Sequence, residues 1–183
     1  PGSDCSALVC GTDLGPTILA ACGMKPWEKM TGVSFLPQLL GEKTTGQQYV
    51  FAERGWHWGP ITRTDGLDLS RSVTSERYRY IYNALPNRSY TPVDMSGKDA
   101  WKAIQAAHAA KQLSPLHERL YFANPRPVVE LYDLRNDPLE LNNLTGKKRI
   151  ADIERSLREE LESWMIREHD FLPLPTHALQ NAK

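Results

Sequence analysis

Trp56, His57 and Trp58, three ring side chains in a row, stand between Gly55 and Gly59, with Arg54 immediately before them. A guanidinium and an imidazolium make charge-assisted hydrogen bonds, and an indole offers a flat apolar face. The competing reading is a surface loop whose indoles pack against other protein, with Arg54 an ordinary surface cation. The three cysteines, Cys5, Cys10 and Cys22, fit no zinc spacing, and an odd number argues against a disulfide framework. They read as small buried hydrophobes or one incidental bridge. His108 and His117 lie in helical stretches and read as structural or solvated. Asp65-Gly66 and Asp137-Pro138 read as turns.

The loop needs an element to carry it. Residues 48–53 form an apolar strand run that leads directly into it. Before that run, Leu8-Val9-Cys10 reads as a short strand. A helix follows, with Thr12-Asp13 as N-cap, Pro16 in its first turn, Leu14, Ile18, Leu19 and Cys22 at helical spacing, and Gly23 as its stop. Residues 32–41 read as a second short helix. After the loop, Arg71-Ser72-Val73-Thr74 and residues 78–83 read as a hairpin with Tyr78, Tyr80 and Tyr82 on one face, as sheet packing. Ser96 and Asp99 suggest a capping box before a helix with Trp101, Ile104 and Ala107. Ser114-Pro115 opens another helix. Residues 128–134 form a strand closed by the Asn136-Asp137-Pro138 turn. The clearest element is the last helix, where Ile150, Ile153, Leu157, Leu161, Trp164 and Met165 recur every three or four residues.

These elements predict an α+β unit, with helices on one face of a small antiparallel sheet. The first fifty or so residues instead read as the last helix and strand of a larger α/β sheet. The chain has 183 residues and a formal net charge of zero, which argues against nucleic-acid or membrane-surface partners. No apolar run reaches the ~18 residues of a membrane span, and no secretory signal opens the chain. It begins at Pro1-Gly2 rather than Met, as an internal fragment would.

Five segments, taken in order, resemble the sulfatase family. They are Asp13-Leu14-Gly15-Pro16-Thr17-Ile18-Leu19 closing at Gly23; Gly32-Val33-Ser34-Phe35-Leu36-Pro37; Tyr49-Val50-Phe51-Ala52-Glu53-Arg54; Tyr78-Arg79-Tyr80-Ile81; and Glu130-Leu131-Tyr132-Asp133-Leu134 with Asp137-Pro138, Glu140 and Asn143-Leu144. Arg71-Ser72-Val73 followed by Arg79 and Asn83, and Glu168 before His169-Asp170, are similar to the heparan N-sulfatase (N-sulfoglucosamine sulfohydrolase) group. The resemblance implies the C-terminal edge of an alkaline-phosphatase-like α/β core in residues 1–60. It places a small antiparallel sheet subdomain, packed by the long C-terminal helix, in residues 61–183.

By that resemblance the parent protein hydrolyses sulfate esters or N-sulfate groups, on sulfated glycans. His57, Arg54 and Trp56 are then substrate-binding residues on the pocket rim, donating to an anionic sugar and stacking on its ring; His169 and Asp170 could reach the same rim. The family's nucleophile is a formylglycine made from Cys or Ser in C/S-x-P-x-R, and no cysteine or serine here is followed by that pattern. Calcium and formylglycine are therefore expected in the N-terminal catalytic half, as partner of this chain, and the chain alone is expected to be inactive. The family implies a periplasmic, secreted or lysosomal location. Asn87-Arg88-Ser89 and Asn143-Leu144-Thr145 fit a glycosylation pattern that matters only in a eukaryotic secretory chain. The alternatives are a non-catalytic interaction or carbohydrate-binding module, and a related phosphatase or phosphonate hydrolase.

Overall fold

The computed structural model describes residues 4–42, 44–56, 66–90 and 92–175. Its centre is a four-stranded antiparallel sheet in the order β1 (Val50–Trp56), β2 (Leu67–Thr74), β3 (Tyr78–Asn83) and β4 (Val129–Asp133). The registers Phe51↔Val73, Val73↔Tyr80 and Tyr80↔Leu131 carry one row of side chains across all four strands. Alternation then puts Arg71, Val73, Tyr80, Tyr82, Val129 and Leu131 on a common face.

Helix α5 (Ala151–Arg167) covers that face. Its stripe of Leu157, Leu161 and Met165 repeats every four residues and is buried, each side chain stabilising by roughly 1.5–3 kcal/mol relative to exposure. Trp164 stacks on Phe51 with ring centroids 5.2 Å apart and planes 3° from parallel, which fastens the helix to β1. The predicted tyrosine face is therefore sheet packing: burial pushes the Tyr80 hydroxyl far above its ordinary range, so it stays neutral.

The segment after β4 is a closed hydrogen-bond circuit. Asp133 accepts from the Arg77 guanidinium and from Asn136, and Asp137 accepts from the amides of Leu141 and Asn142. The Asn143 side-chain oxygen, Oδ1, accepts from the amides of Leu131 and Thr145, and Leu144 enters the core. Glu140, at a φ of 56°, pairs with Arg79. Two short helices, α3 (Asp99–Ala109) and α4 (Pro115–Phe122), meet through Trp101, whose ring stacks on Phe122. Ser114 caps α4 by accepting from the His117 amide. Ser96 does not cap α3: the N-cap is Lys98, and the Ser96 hydroxyl donates to the Val93 carbonyl instead.

Residues 4–42 and 44–49 form a tab built around Asp13. Helix α1 (Leu14–Ala21) and the single turn α2 (Leu36–Leu39) are present, and Gly23, at a φ of 69°, ends α1 as its spacing predicts. Asp13 sits at the N-cap but its carboxylate faces away from α1. It accepts from the amides of Cys10 and Val33, at 2.8 Å each, and from the Gln47 side chain at 2.7 Å. Leu8 forms a single bridge to Gln47 rather than a strand. The strand that sequence analysis grouped with the first sixty residues pairs antiparallel with β2, from Val50↔Thr74 to Trp56↔Leu67. It is the edge strand of the four-stranded sheet, because its backbone hydrogen bonds run to β2.

Candidate functional site

β1 delivers Arg54 and Trp56 to one end of the sheet. Their backbone is fixed from below: Arg71 donates through Nη1 to the carbonyl oxygens of Arg54, at 3.0 Å, and Ser70. The same guanidinium forks onto Asp170, with Nε at 2.5 Å and Nη2 at 3.1 Å. Burial opposes the Asp170 charge, but the hydrogen bonds and positive charge of Arg71 outweigh it and hold the carboxyl below its ordinary range. Asp170 thus serves as an anchor in the sheet rather than as a rim group. His169, at a φ of 55°, is the turn residue that brings it there.

Beyond Arg54 the pairing slips: two steps along β1, from Arg54 to Trp56, face three along β2, from Ser70 to Leu67. Such irregularities re-aim side chains. Around this end lies a cleft of about 470 Å³ lined by Glu53, Arg54, Trp56, Tyr90, Asp94 and Met95, among others. Trp56 is 66% exposed at this end of β1. The Arg54 guanidinium carbon lies 5.2 Å from the centre of the Tyr90 ring, within cation–π range. Its Nε is 3.5 Å from Asp68, which Arg126 grips with both terminal nitrogens, at 2.6 and 3.2 Å. A second cleft of about 440 Å³, with Arg119, Leu120, Tyr132 and Lys147 in its lining, adjoins the first through Tyr90.

The structure therefore brings Arg54 and Trp56 to one cleft. His57, the third predicted site residue, lies outside the described residues, as does Trp58. Sequence reasoning missed Tyr90, Asp68 and Arg126. They come from three separate stretches, and no local pattern marks them. Glu53 and Asp94 also line the cleft, so an anion is favoured only on its Arg54 and Tyr90 side. No group of three histidine, cysteine or carboxylate side chains able to hold a metal occurs among the described residues. The buried carboxylates do not fit a calcium ion: Asp13, Asp68, Asp133 and Asp170 already accept hydrogen bonds from amides, a carboxamide or guanidinium groups. Among the described residues no helix is long and apolar enough to cross a membrane.

No protein-family model matches the chain. Curated relatives do. An ulvan-active sulfatase of Formosa agariphila is 31% identical over 178 residues, covering 95% of this chain and 28% of the relative. A second from the same organism is 29% identical over 172 residues, covering 94% and 32%. Human N-sulphoglucosamine sulphohydrolase is 29% identical over 181 residues, covering 92% and 34%. The chain thus spans 28–34% of the length of these curated relatives. A solved sulfatase structure from Bacteroides thetaiotaomicron superposes with a TM-score of 0.54 at 22% identity, over 86% of this chain and 25% of its own. A protein solved in complex with its substrate D-glucosamine-2-N,6-O-disulfate gives 0.53 at 18%, over 87% and 24%. A phosphonate monoester hydrolase of Agrobacterium radiobacter gives 0.50 at 19%, over 85% and 24%. At such identities the structures speak to the fold alone, and the α+β arrangement of sheet and long helix is the one they share.

Proposed function

The chain belongs to the sulfatase family and corresponds to the C-terminal part of its members; from that premise we propose that it completes an enzyme hydrolysing sulfate-ester or N-sulfate groups on sulfated glycans. The observation that carries the reading is relatedness to sulfatases along 95% of the chain, including the segment from β1 that builds the cleft. The catalytic nucleophile, a formylglycine, and a divalent cation such as calcium come from the N-terminal half, the partner against which this chain packs. They supply the attacking oxygen and neutralise the sulfate; the pattern C/S-x-P-x-R is absent from this chain, so by itself it turns over nothing.

This chain supplies part of the rim. Arg54, Trp56 and His57 form the substrate-binding group: Arg54 and His57 meet the sulfate or another anionic group of the sugar, and the Trp56 indole covers a pyranose face. A sulfated saccharide substrate agrees with the human relative's name and with the substrate of the second solved structure, and a periplasmic, secreted or lysosomal location belongs to the same proposal. Division between residues 1–60, as the edge of the catalytic core, and residues 61–183, as the C-terminal subdomain, belongs to the same proposal.

The test is sulfate release from N-sulfoglucosamine and D-glucosamine-2-N,6-O-disulfate by the full-length sulfatase carrying this chain. Arg54→Ala and Trp56→Ala are expected to raise KM about tenfold, as for loss of a charge-assisted or stacking contact, with kcat within about twofold. An unchanged KM in both variants removes the rim role. No sulfate release from any sulfated saccharide removes the enzyme reading and favours a carbohydrate-binding module.

A further inference from the structure

We infer that Asp68, backed by Arg126, is a positioning residue that holds the Arg54 guanidinium on the ring of Tyr90, and that Tyr90 is the second aromatic wall of the substrate cleft. The inference rests on the reading of that cleft as a sulfated-sugar site.

Asp68 is buried, and a buried carboxylate needs a partner. Arg126 provides it, with a two-nitrogen fork at 2.6 and 3.2 Å. Arg126 is itself seated, its amide donating to the Pro86 carbonyl at 2.7 Å. That pair is already neutral. Arg54 then approaches the same carboxylate through Nε at 3.5 Å, a distance that tethers by charge rather than by a close hydrogen bond. Of the three side chains Arg54 is the one a ligand can reach, at 35% exposed against 12% for Asp68 and 13% for Arg126.

Tyr90 fixes the remaining freedom. Asp68 holds the Nε edge of the Arg54 guanidinium, and the Tyr90 ring lies under it at 5.2 Å. A planar cation held at one edge and backed by a ring has its orientation set before the ligand arrives, which lowers the ordering cost of binding. Tyr90 lines the same cleft as Trp56 and borders the second cleft, so a saccharide in the first would meet aromatic side chains from both β1 and the loop after β3.

The experiment is steady-state kinetics of the full-length sulfatase carrying this chain, with D-glucosamine-2-N,6-O-disulfate as the probe. Arg54→Ala, Asp68→Asn, Tyr90→Leu and the double variant Arg54→Ala/Asp68→Asn are compared. Asp68→Asn and Tyr90→Leu are each expected to raise KM about fivefold with kcat within about twofold, and Asp68→Asn to add nothing once Arg54 is gone. Asp68→Asn strands Arg126 and threatens folding. Asp68→Asn/Arg126→Gln, which removes both buried charges, and Tyr90→Leu, which leaves them in place, keep the question answerable. If Arg54→Ala raises KM while the Asp68 and Tyr90 variants leave it untouched, the positioning role is overturned and the cleft reading stands. Asp68→Asn acting in full in the Arg54→Ala background overturns it too. A silent Arg54→Ala overturns the positioning role, and the cleft reading falls with it only if Trp56→Ala is silent too.

Discussion

Gly32 owes its identity to a backbone oxygen. A Cβ built there would lie 2.1 Å from the Thr12 carbonyl oxygen, and a main-chain atom cannot rotate aside. Gly32→Ala is therefore expected to cost about 3 kcal/mol or more, read as a lower urea midpoint; a midpoint within error of the parent would mean the turn can shift. The turn matters because the next residue, Val33, donates its amide to Asp13. Burial opposes ionisation of Asp13, yet its hydrogen bonds from Cys10, Val33 and Gln47 win and hold its carboxyl below the ordinary range. Asp133 is held low mainly by its hydrogen bonds to Arg77, and Asp170 by Arg71 despite its burial. A carboxyl depressed in the folded state contributes stability that is complete above its unfolded value, about 3.9, and is lost as pH falls through the folded value. The urea midpoint should thus be insensitive to these groups above about pH 5 and fall below about pH 4. Asp133→Asn should make that acid fall shallower; an identical slope in Asn variants of all three aspartates would contradict the assignment. At this scale Arg54 and Trp56 could be found from their neighbours in sequence. Asp68, Tyr90 and Arg126 could not, because only the folded sheet brings their three stretches together.

Between elements, the tie that sets the cleft is the pair of Arg71 on β2 and Asp170 just beyond α5. Both side chains are nearly fully buried, at 3% and 5% exposed, and the same guanidinium holds the Arg54 carbonyl. Arg71→Met strands a buried carboxylate and should cost about 3–5 kcal/mol. Arg71→Met/Asp170→Leu should recover much of that loss in urea unfolding while still loosening the end of β1 and raising KM. Equal losses in the single and double variants would show that the pair is not what secures the helix end. The elements on either side of this tie were legible in advance. Period two in the tyrosine strand and period three to four in α5 are imposed by burial against one face, and burial leaves its mark on every turn. Caps were not equally legible. Ser96 and Asp13 have suitable types at suitable positions, but their oxygens take other partners, Val93 for the one and Cys10, Val33 and Gln47 for the other. The apolar run of β1 suits either sheet by its pattern, and its backbone pairing is with β2.

Across the whole molecule the two parts differ in how finished their surfaces are. The sheet and α5 bury their apolar faces against one another. On the tab, Leu14 and Ile18, one helical turn apart on α1, are 55% and 62% exposed, and Leu39 and Leu40 on and beside α2 are 65% and 68% exposed. The outer edge of β1 has no strand partner among the described residues. The periodicity that predicted α1 was thus correct as to helix, while the face it predicts to be buried is open. In a family whose members are about three times as long, that face is where the rest of the protein would lie. The consequence can be measured on this chain. Sedimentation velocity should show association that rises with concentration, and an apolar dye should bind. Leu14→Asp/Ile18→Asp should weaken that association by about tenfold or more with little change in the urea midpoint, because both side chains are already more than half exposed. The same pair of substitutions in the full-length sulfatase should lower its stability by several kcal/mol, since there the two side chains would be covered. A chain that sediments as a monomer, binds no dye and is indifferent to both substitutions would make the tab a finished surface, and the catalytic half would have to dock elsewhere.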